Sequence, residues 1–211
     1  MIYHGPPDHP DPYPTMSTGQ LYLCPAEPDL LLPAEPLLDL LQALQLCAEP
    51  LSGRDQAYAV GTDFMHWISF TGCSPLIRFS PESDQDRDFC HLRLHRISGP
   101  RPQFLYASNS RPPACPQCRK GLSGWLPLMQ RWQLDGSALA CPHCASHIDP
   151  RRLNWQRQAG MGRTLLEIFN IFPGEARPLP GLLEQLGKHH SGQAWRYFYL
   201  QGTEPLAEIQ G

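Results

Sequence analysis

Two tetrapeptides constrain this chain more than any other feature: Cys115-Pro116-Gln117-Cys118 and, after 22 intervening residues, Cys141-Pro142-His143-Cys144. A C-x2-C turn sets two sulfurs on one side of a tight loop, and two such turns can close a tetrahedral shell of four thiolates around one ion. Proline follows the first cysteine in both, fixing φ and stiffening the turn. The other use of eight cysteines is a set of disulfides. That use belongs to exported chains, and residues 1–14 are too polar and proline-rich for the apolar core of a signal peptide. The chain therefore reads as a cytoplasmic protein with a metal site. A shell of four sulfurs leaves no position for water or substrate, so the expected ion, Zn2+, is structural. His143 and His147 are then surplus donors expected to face solvent.

On these residues the chain resembles the zinc-ribbon and rubredoxin-like knuckle class, over residues 112–150. The resemblance implies one ion held by Cys115, Cys118, Cys141 and Cys144, either zinc in a structural ribbon or iron in a rubredoxin-like electron carrier. Knuckles of this class commonly have glycine directly after the second cysteine. Arg119 and Ala145 stand there instead, a departure that weighs against iron.

A length of 211 residues suits one domain carrying a small module. Nine of the 24 prolines precede residue 37, and a segment so short of amide donors reads as a flexible lead-in, with Met16 as a second candidate start. Leu37, Leu38, Leu41 and Leu44 recur at helical spacing and predict a helix over 36–48. Residues 64–70, 76–79, 89–97 and 103–106 read as strands. In 89–97, Cys90, Leu92 and Leu94 alternate with His91, Arg93 and His95, which predicts a half-buried strand with a basic outer face. Residues 164–172 lean to a strand but also suit a helix, 179–186 predict a short helix stopped at Gly187, and 195–200 a last strand. The fold class is α+β: a mixed, largely antiparallel sheet with two short helices and a four-cysteine zinc-ribbon module. Its expected parts are a lead-in at 1–34, the two halves of an α+β domain at 35–110 and 161–200, a basic ribbon at 111–160 and a tail at 201–211.

Charge divides along the chain. Residues 1–110 hold 6 arginines and 13 acidic residues, a balance of −7, whereas 111–211 hold 11 basic and 7 acidic residues, a balance of +4. Around the cysteines, Arg119, Lys120, Arg131, Arg151, Arg152 and Arg157 are interleaved with Trp125, Trp132 and Trp155. Arginine meets phosphate and aromatic faces stack on unpaired bases, so the mixture is a candidate surface for RNA, and equally for a protein partner. Tryptophans filling a thin core beneath solvated arginines would look the same. Phosphate-cradling glycine loops, the G-x-S-x-G elbow and H-E-x-x-H are all missing from the sequence. The catalytic candidates are Cys73, in a Thr-Gly-Cys-Ser-Pro loop, and His66. The leading expectation is a zinc-stabilised, non-enzymatic adaptor or regulator. A thiol or redox enzyme using Cys73 with His66, and a rubredoxin-like electron carrier, are the alternatives. Asp84, Asp86 and Asp88 resemble half a calcium loop without its glycine or distal glutamate, and read as a solvated turn.

Overall fold

The run Leu21-Tyr22-Leu23-Cys24 becomes a strand in which every residue is buried. A strand covered on both faces shows no alternation, and this one is set among prolines, so its signal is easily lost. In the computed structural model, which describes residues 19–71, 77–83, 86, 88–190 and 192–202, it is an inner strand of the main sheet, paired on both sides. The lead-in expected over 1–34 is corrected accordingly: its residues 19–25 are part of the core, and 1–18 lie outside the described residues.

The elements up to the cysteines are β1 (Gly19–Pro25), α1 (Ala34–Ala43), β2 (Cys47–Pro50), β3 (Ala57–Val60), α2 (Phe64–Trp67), β4 (Ile68–Phe70), β5 (Leu92–Arg96) and β6 (Gln103–Tyr106). The cysteine region holds α3 (Trp125–Asp135), β7 (Leu139–Ala140) and β8 (His147–Ile148). After it come β9 (Ala159–Gly162), β10 (Thr164–Phe169), β11 (Ala176–Pro178), α4 (Pro180–His189) and β12 (Trp195–Gln201). Six strands form the main sheet in the order β12-β1-β10-β5-β3-β2, every neighbouring pair antiparallel. The fold is α+β, with four helices among the described residues rather than the two expected. None of them is long and apolar enough to cross a membrane.

One face of the sheet presents Leu21, Leu23, Leu92, Leu94, Leu166 and Ile168 to α1, α2 and α4, which bury Leu37, Leu41, Phe64, Leu182 and Leu186 against it. Burial of each such side chain contributes about 1.5–3 kcal/mol relative to exposure. Helix α1 stops before the predicted residue 48 because Gln45 turns to a positive φ of 49° and the chain reverses into β2. Residues 64–70 are a strand only from Ile68. Phe64 instead opens a helical turn that packs its ring against Phe70 and Phe79, at centroid distances of 6.5 and 5.8 Å, and Trp67 Nε1 donates to Leu44 O. Residues 77–79 form no strand, and Leu76 lies outside the described residues.

The cysteine region is an insertion. After β5 the chain leaves the main sheet along β6, and it returns along β9, which pairs antiparallel with β6 from Gln103↔Gly162 to Tyr106↔Ala159 and runs on into β10. β9 passes directly over β12: a Cβ on Gly160 would lie 2.3 Å from the Phe198 ring. The loop after β6 closes the free edge of β12. Asn109 donates from Nδ2 to Tyr199 O at 3.0 Å and accepts at Oδ1 from Gln201 N at 3.0 Å, while Ser108 Oγ donates to Gln201 O at 2.6 Å. An edge strand with its amides paired in this way offers no template for another chain.

The face expected to be basic and solvated is an inner face. His91 is only 2% exposed, and its ring lies between Phe89 and Phe169 at centroid distances of 4.7 and 4.1 Å. Arg54 lies over the outer side of this stack at Phe89 (4.9 Å), and Arg93 over Phe169 (5.2 Å). Burial first, and then the two guanidinium groups, pull His91 down to about 4 against the opposing pull of the Phe89 carbonyl. A histidine held neutral in the fold, with an unfolded pKa near ~6.5, stabilises fully above that value. As pH falls through the window from there to about 4, the unfolded chain takes up a proton that the folded protein refuses, and stability is lost. The loss over that window should approach about 3 kcal/mol. His91→Phe keeps the stack and should flatten the slope, measured as urea midpoints between the two pH values. An unaltered slope would refute the assignment.

Candidate metal centre

The inserted segment builds two hairpins and one helix. The first knuckle is closed by a bridge between Ala114 and Gly121, the second by Leu139↔Ile148 and Ala140↔His147 of β7 and β8. The two repeat one hydrogen-bond pattern. Cys115 N donates to Lys120 O and Arg119 N to Cys115 O; likewise Cys141 N donates to Ser146 O and Ala145 N to Cys141 O, all four at 2.9 Å. The spacer between them is α3, in which Trp125, Leu128, Met129 and Trp132 recur at i, i+3, i+4 and i+7. That period is legible in the sequence, but Pro127 hides it. In the first helical turn proline removes no helical hydrogen bond, so the helix tolerates it. Arg101 donates to Trp132 O and Leu134 O and satisfies the last-turn carbonyls.

The knuckles bring Cys115, Cys118, Cys141 and Cys144 together, all four sulfurs within 4.8 Å of one another. Cys115 and Cys144 are 3.9 Å apart and Cys118 and Cys141 3.7 Å, far beyond a disulfide bond. A tetrahedral ion with metal–sulfur bonds of about 2.3 Å holds its sulfurs roughly 3.8 Å apart, so the four residues fit one ion. Four thiolates at this spacing repel strongly, and the thiols already titrate in opposition. The amides of Cys118 and Gln117 hold Cys115 down at about 6. Cys118 is pushed up to about 11: the Lys120 amide favours its thiolate, but burial and the neighbouring sulfurs outweigh it. A cation at the centre is what removes that conflict. His143 is exposed, with Nε2 against Gly121 O at 3.1 Å, and His147 is exposed in β8. Neither belongs to the sulfur cluster.

Arg119 and Ala145 take positive φ values of 60° and 58°. The turn that glycine usually serves is thus retained, with a side chain accepting the left-handed backbone. The departure from glycine changes the strain, not the geometry, and by itself does not discriminate between zinc and iron.

The three tryptophans close the module's own core. Trp132 and Trp155 are 4% and 7% exposed, and Trp155 packs on Phe104 and Trp125 at 4.9 and 5.2 Å. Their rings are not free to stack on a base; Trp125 is half-buried and packs edge-on against Phe104, Tyr106 and Trp155. Arg151 is committed too. It pairs with Asp29 in the segment after β1 and lies over Trp132. Arg157 lies over Tyr197 at 4.3 Å. Arg119, Lys120, Arg131 and Arg152 are exposed, with no ion pair among the described residues.

His66 is exposed in α2, its ring edge-on to Trp67 at 5.3 Å. Cys73 lies outside the described residues, and so does Asp84. Asp86 and Asp88 are bound by Arg78, which also pairs with Glu82, so a cationic side chain occupies the centre of that acidic turn. Compared with family models, curated proteins and solved structures, the chain matches none of them.

Two outcomes follow from the knuckles. Cys118→Ser should lose the bound ion and, with it, the order of the inserted module, because in such a site binding energy is folding energy. One ion per chain and an unchanged melting temperature would contradict this. Ala145→Gly should stabilise the loaded protein by about 0.5–1 kcal/mol through relief of the left-handed backbone. The control Ala140→Gly, in a strand, should shift stability the other way.

Proposed function

We propose that this protein is a zinc-stabilised, non-enzymatic adaptor or regulator that binds a protein or RNA partner through the exposed basic side of its inserted module. The observation that carries the reading is the set of uncommitted cations: Arg119, Lys120, Arg131 and Arg152 project from a module whose own acidic residues are few. Arginines kept free of internal partners on a small rigid platform suit an anionic surface. A closed four-sulfur shell supports a structural role for the ion, since no coordination position is left for substrate. Zinc is the ion such a shell favours in a site without redox work.

The test uses Arg119→Glu, Arg131→Glu and Arg152→Glu together. Arg151 is left alone because reversing it would also set two carboxylates against each other at Asp29. Partner capture should fall at least about tenfold with the melting temperature little changed, as surface charges contribute little to stability. A nuclease-treated arm separates RNA from protein. Undiminished capture by the triple variant would end the proposal. Metal analysis of the same sample should return zinc, and a coloured, iron-loaded protein would favour electron transfer instead.

A further inference from the structure

The four sulfurs of the cluster are not equally covered. Cys115 and Cys141 are 1% and 3% exposed, Cys118 is half-buried, and Cys144 alone is exposed. Packing accounts for the difference. Cys115 and Cys141 belong to the module's apolar core and Cys118 lies against it, whereas Cys144, the second cysteine of its turn, is not part of that core. The sulfur contacts at 3.9 Å, between Cys115 and Cys144, and at 3.7 Å, between Cys118 and Cys141, both run from one knuckle to the other. The Ser146 hydroxyl is shared by the first pair, 3.1 Å from the Cys144 sulfur and 3.7 Å from that of Cys115.

Oxidants attack the thiolate rather than the thiol, and access decides which thiolate is attacked first. A metal centre needs its sulfurs deprotonated, so all four members of the cluster are thiolates when an ion is held. Exposure then sets Cys144 apart from the other three. Protonation sets the cluster apart from the cysteines of the main sheet: Cys24, Cys47 and Cys90 are buried, and burial holds their thiols up. A shell of this kind is full for coordination and yet open to attack at one corner, where a second thiolate stands 3.9 Å behind the exposed sulfur.

We propose that Cys144 is a site of oxidation by peroxides, hydrogen peroxide being the simplest, and that Cys115 resolves it into a disulfide joining the two knuckles. The Cys144 thiolate attacks one peroxide oxygen: an S–O bond forms, the O–O bond breaks and hydroxide leaves. The sulfur gives up two electrons to the peroxide and becomes a sulfenic acid. The Cys115 thiolate then attacks that sulfur: the S–S bond forms, the S–O bond breaks and a second hydroxide leaves. The two sulfurs close from 3.9 Å to about 2.05 Å. Only Cys118 and Cys141 are left as donors, and the ion is released. Because the disulfide crosses between the knuckles, the two hairpins stay joined after the ion has gone. The proposal rests on the metal-loaded centre and is independent of the basic surface.

The test adds hydrogen peroxide to the full-length, metal-loaded protein, whose metal content is measured first. A parallel sample carries Cys73→Ser, which removes the one cysteine outside the described residues. Released ion is followed with a colorimetric chelator, and remaining thiols are counted after an acid quench. About two thiols should disappear for each ion released, in both samples alike. Mass spectrometry should then recover the two knuckle peptides joined, with fragment ions that place the bond between Cys115 and Cys144. With a cyclic 1,3-dione present to trap sulfenic acid, the first adduct should be on Cys144. Peroxide that leaves the ion in place, a first adduct on any other cysteine, or a bond within one knuckle would each overturn the proposal. A chain that carries no ion before peroxide is added fails the metal assignment itself and takes this proposal with it, an outcome read separately from the first measurement.

Discussion

Four sulfurs drawn to within 4.8 Å of each other impose the requirement from which the inserted module follows. Thiolates cannot share that volume without a cation, and thiols there would leave the two knuckles with little to hold them together. Both knuckles are short hairpins with almost no core of their own. What apolar core the module has lies between them, where α3 places Met129 and Trp132 under Trp155 and Phe104. An ion held there would tie two hairpins far apart in sequence, and the helix between them fills the space between the two knuckles with its aromatic cluster.

The module is also held to the rest of the molecule by contacts of ordinary kinds. β6 and β9 form a two-stranded stalk, and Asn109 and Ser108 at its end pair with the edge of β12. Gly160 lets the stalk lie on Phe198 without a gap. Arg151 crosses to Asp29 in the acidic half of the chain. The charge asymmetry thus has two components. Part of it is consumed internally at this ion pair, and another part is displayed at Arg119, Lys120, Arg131 and Arg152. Charge counted along the sequence cannot separate the two.

The main sheet shows a different economy of polar groups. One face is a conventional apolar core against three helices. The other holds Tyr22, Glu167, His95, Arg93 and His91, most of them buried. A buried carboxylate is tolerable because two short hydrogen bonds satisfy it, and a buried histidine because two phenyl rings and the Phe89 carbonyl accept it in the neutral form. Arg93 and the far nitrogen of His91 are the members of this set without such compensation.

Spacing alone was enough to pick out the four cysteines that the fold gathers into one cluster able to hold a metal ion, because two C-x2-C turns leave little choice of geometry. Local pattern was likewise enough for β6 and β12, whose periods lie within their own residues; residues 164–169 suited a helix as well as the strand they form, and α4 runs through the expected stop at Gly187 to His189. Other features are properties of neighbours. β1 was concealed because burial on both faces removes alternation, and α3 because a proline in its first turn looks like a break. His91, Arg93 and His95 do alternate with leucines, yet alternation reports only that two faces differ, not that one of them is wet. Whether a face meets water or protein depends on segments distant in the chain, and here it is the packing of Phe89 and Phe169 around His91 that closes it. The same holds for the tryptophans and for Arg151. Composition shows aromatic and basic residues around the cysteines; only the folded arrangement decides which of them are core, which are paired and which are free.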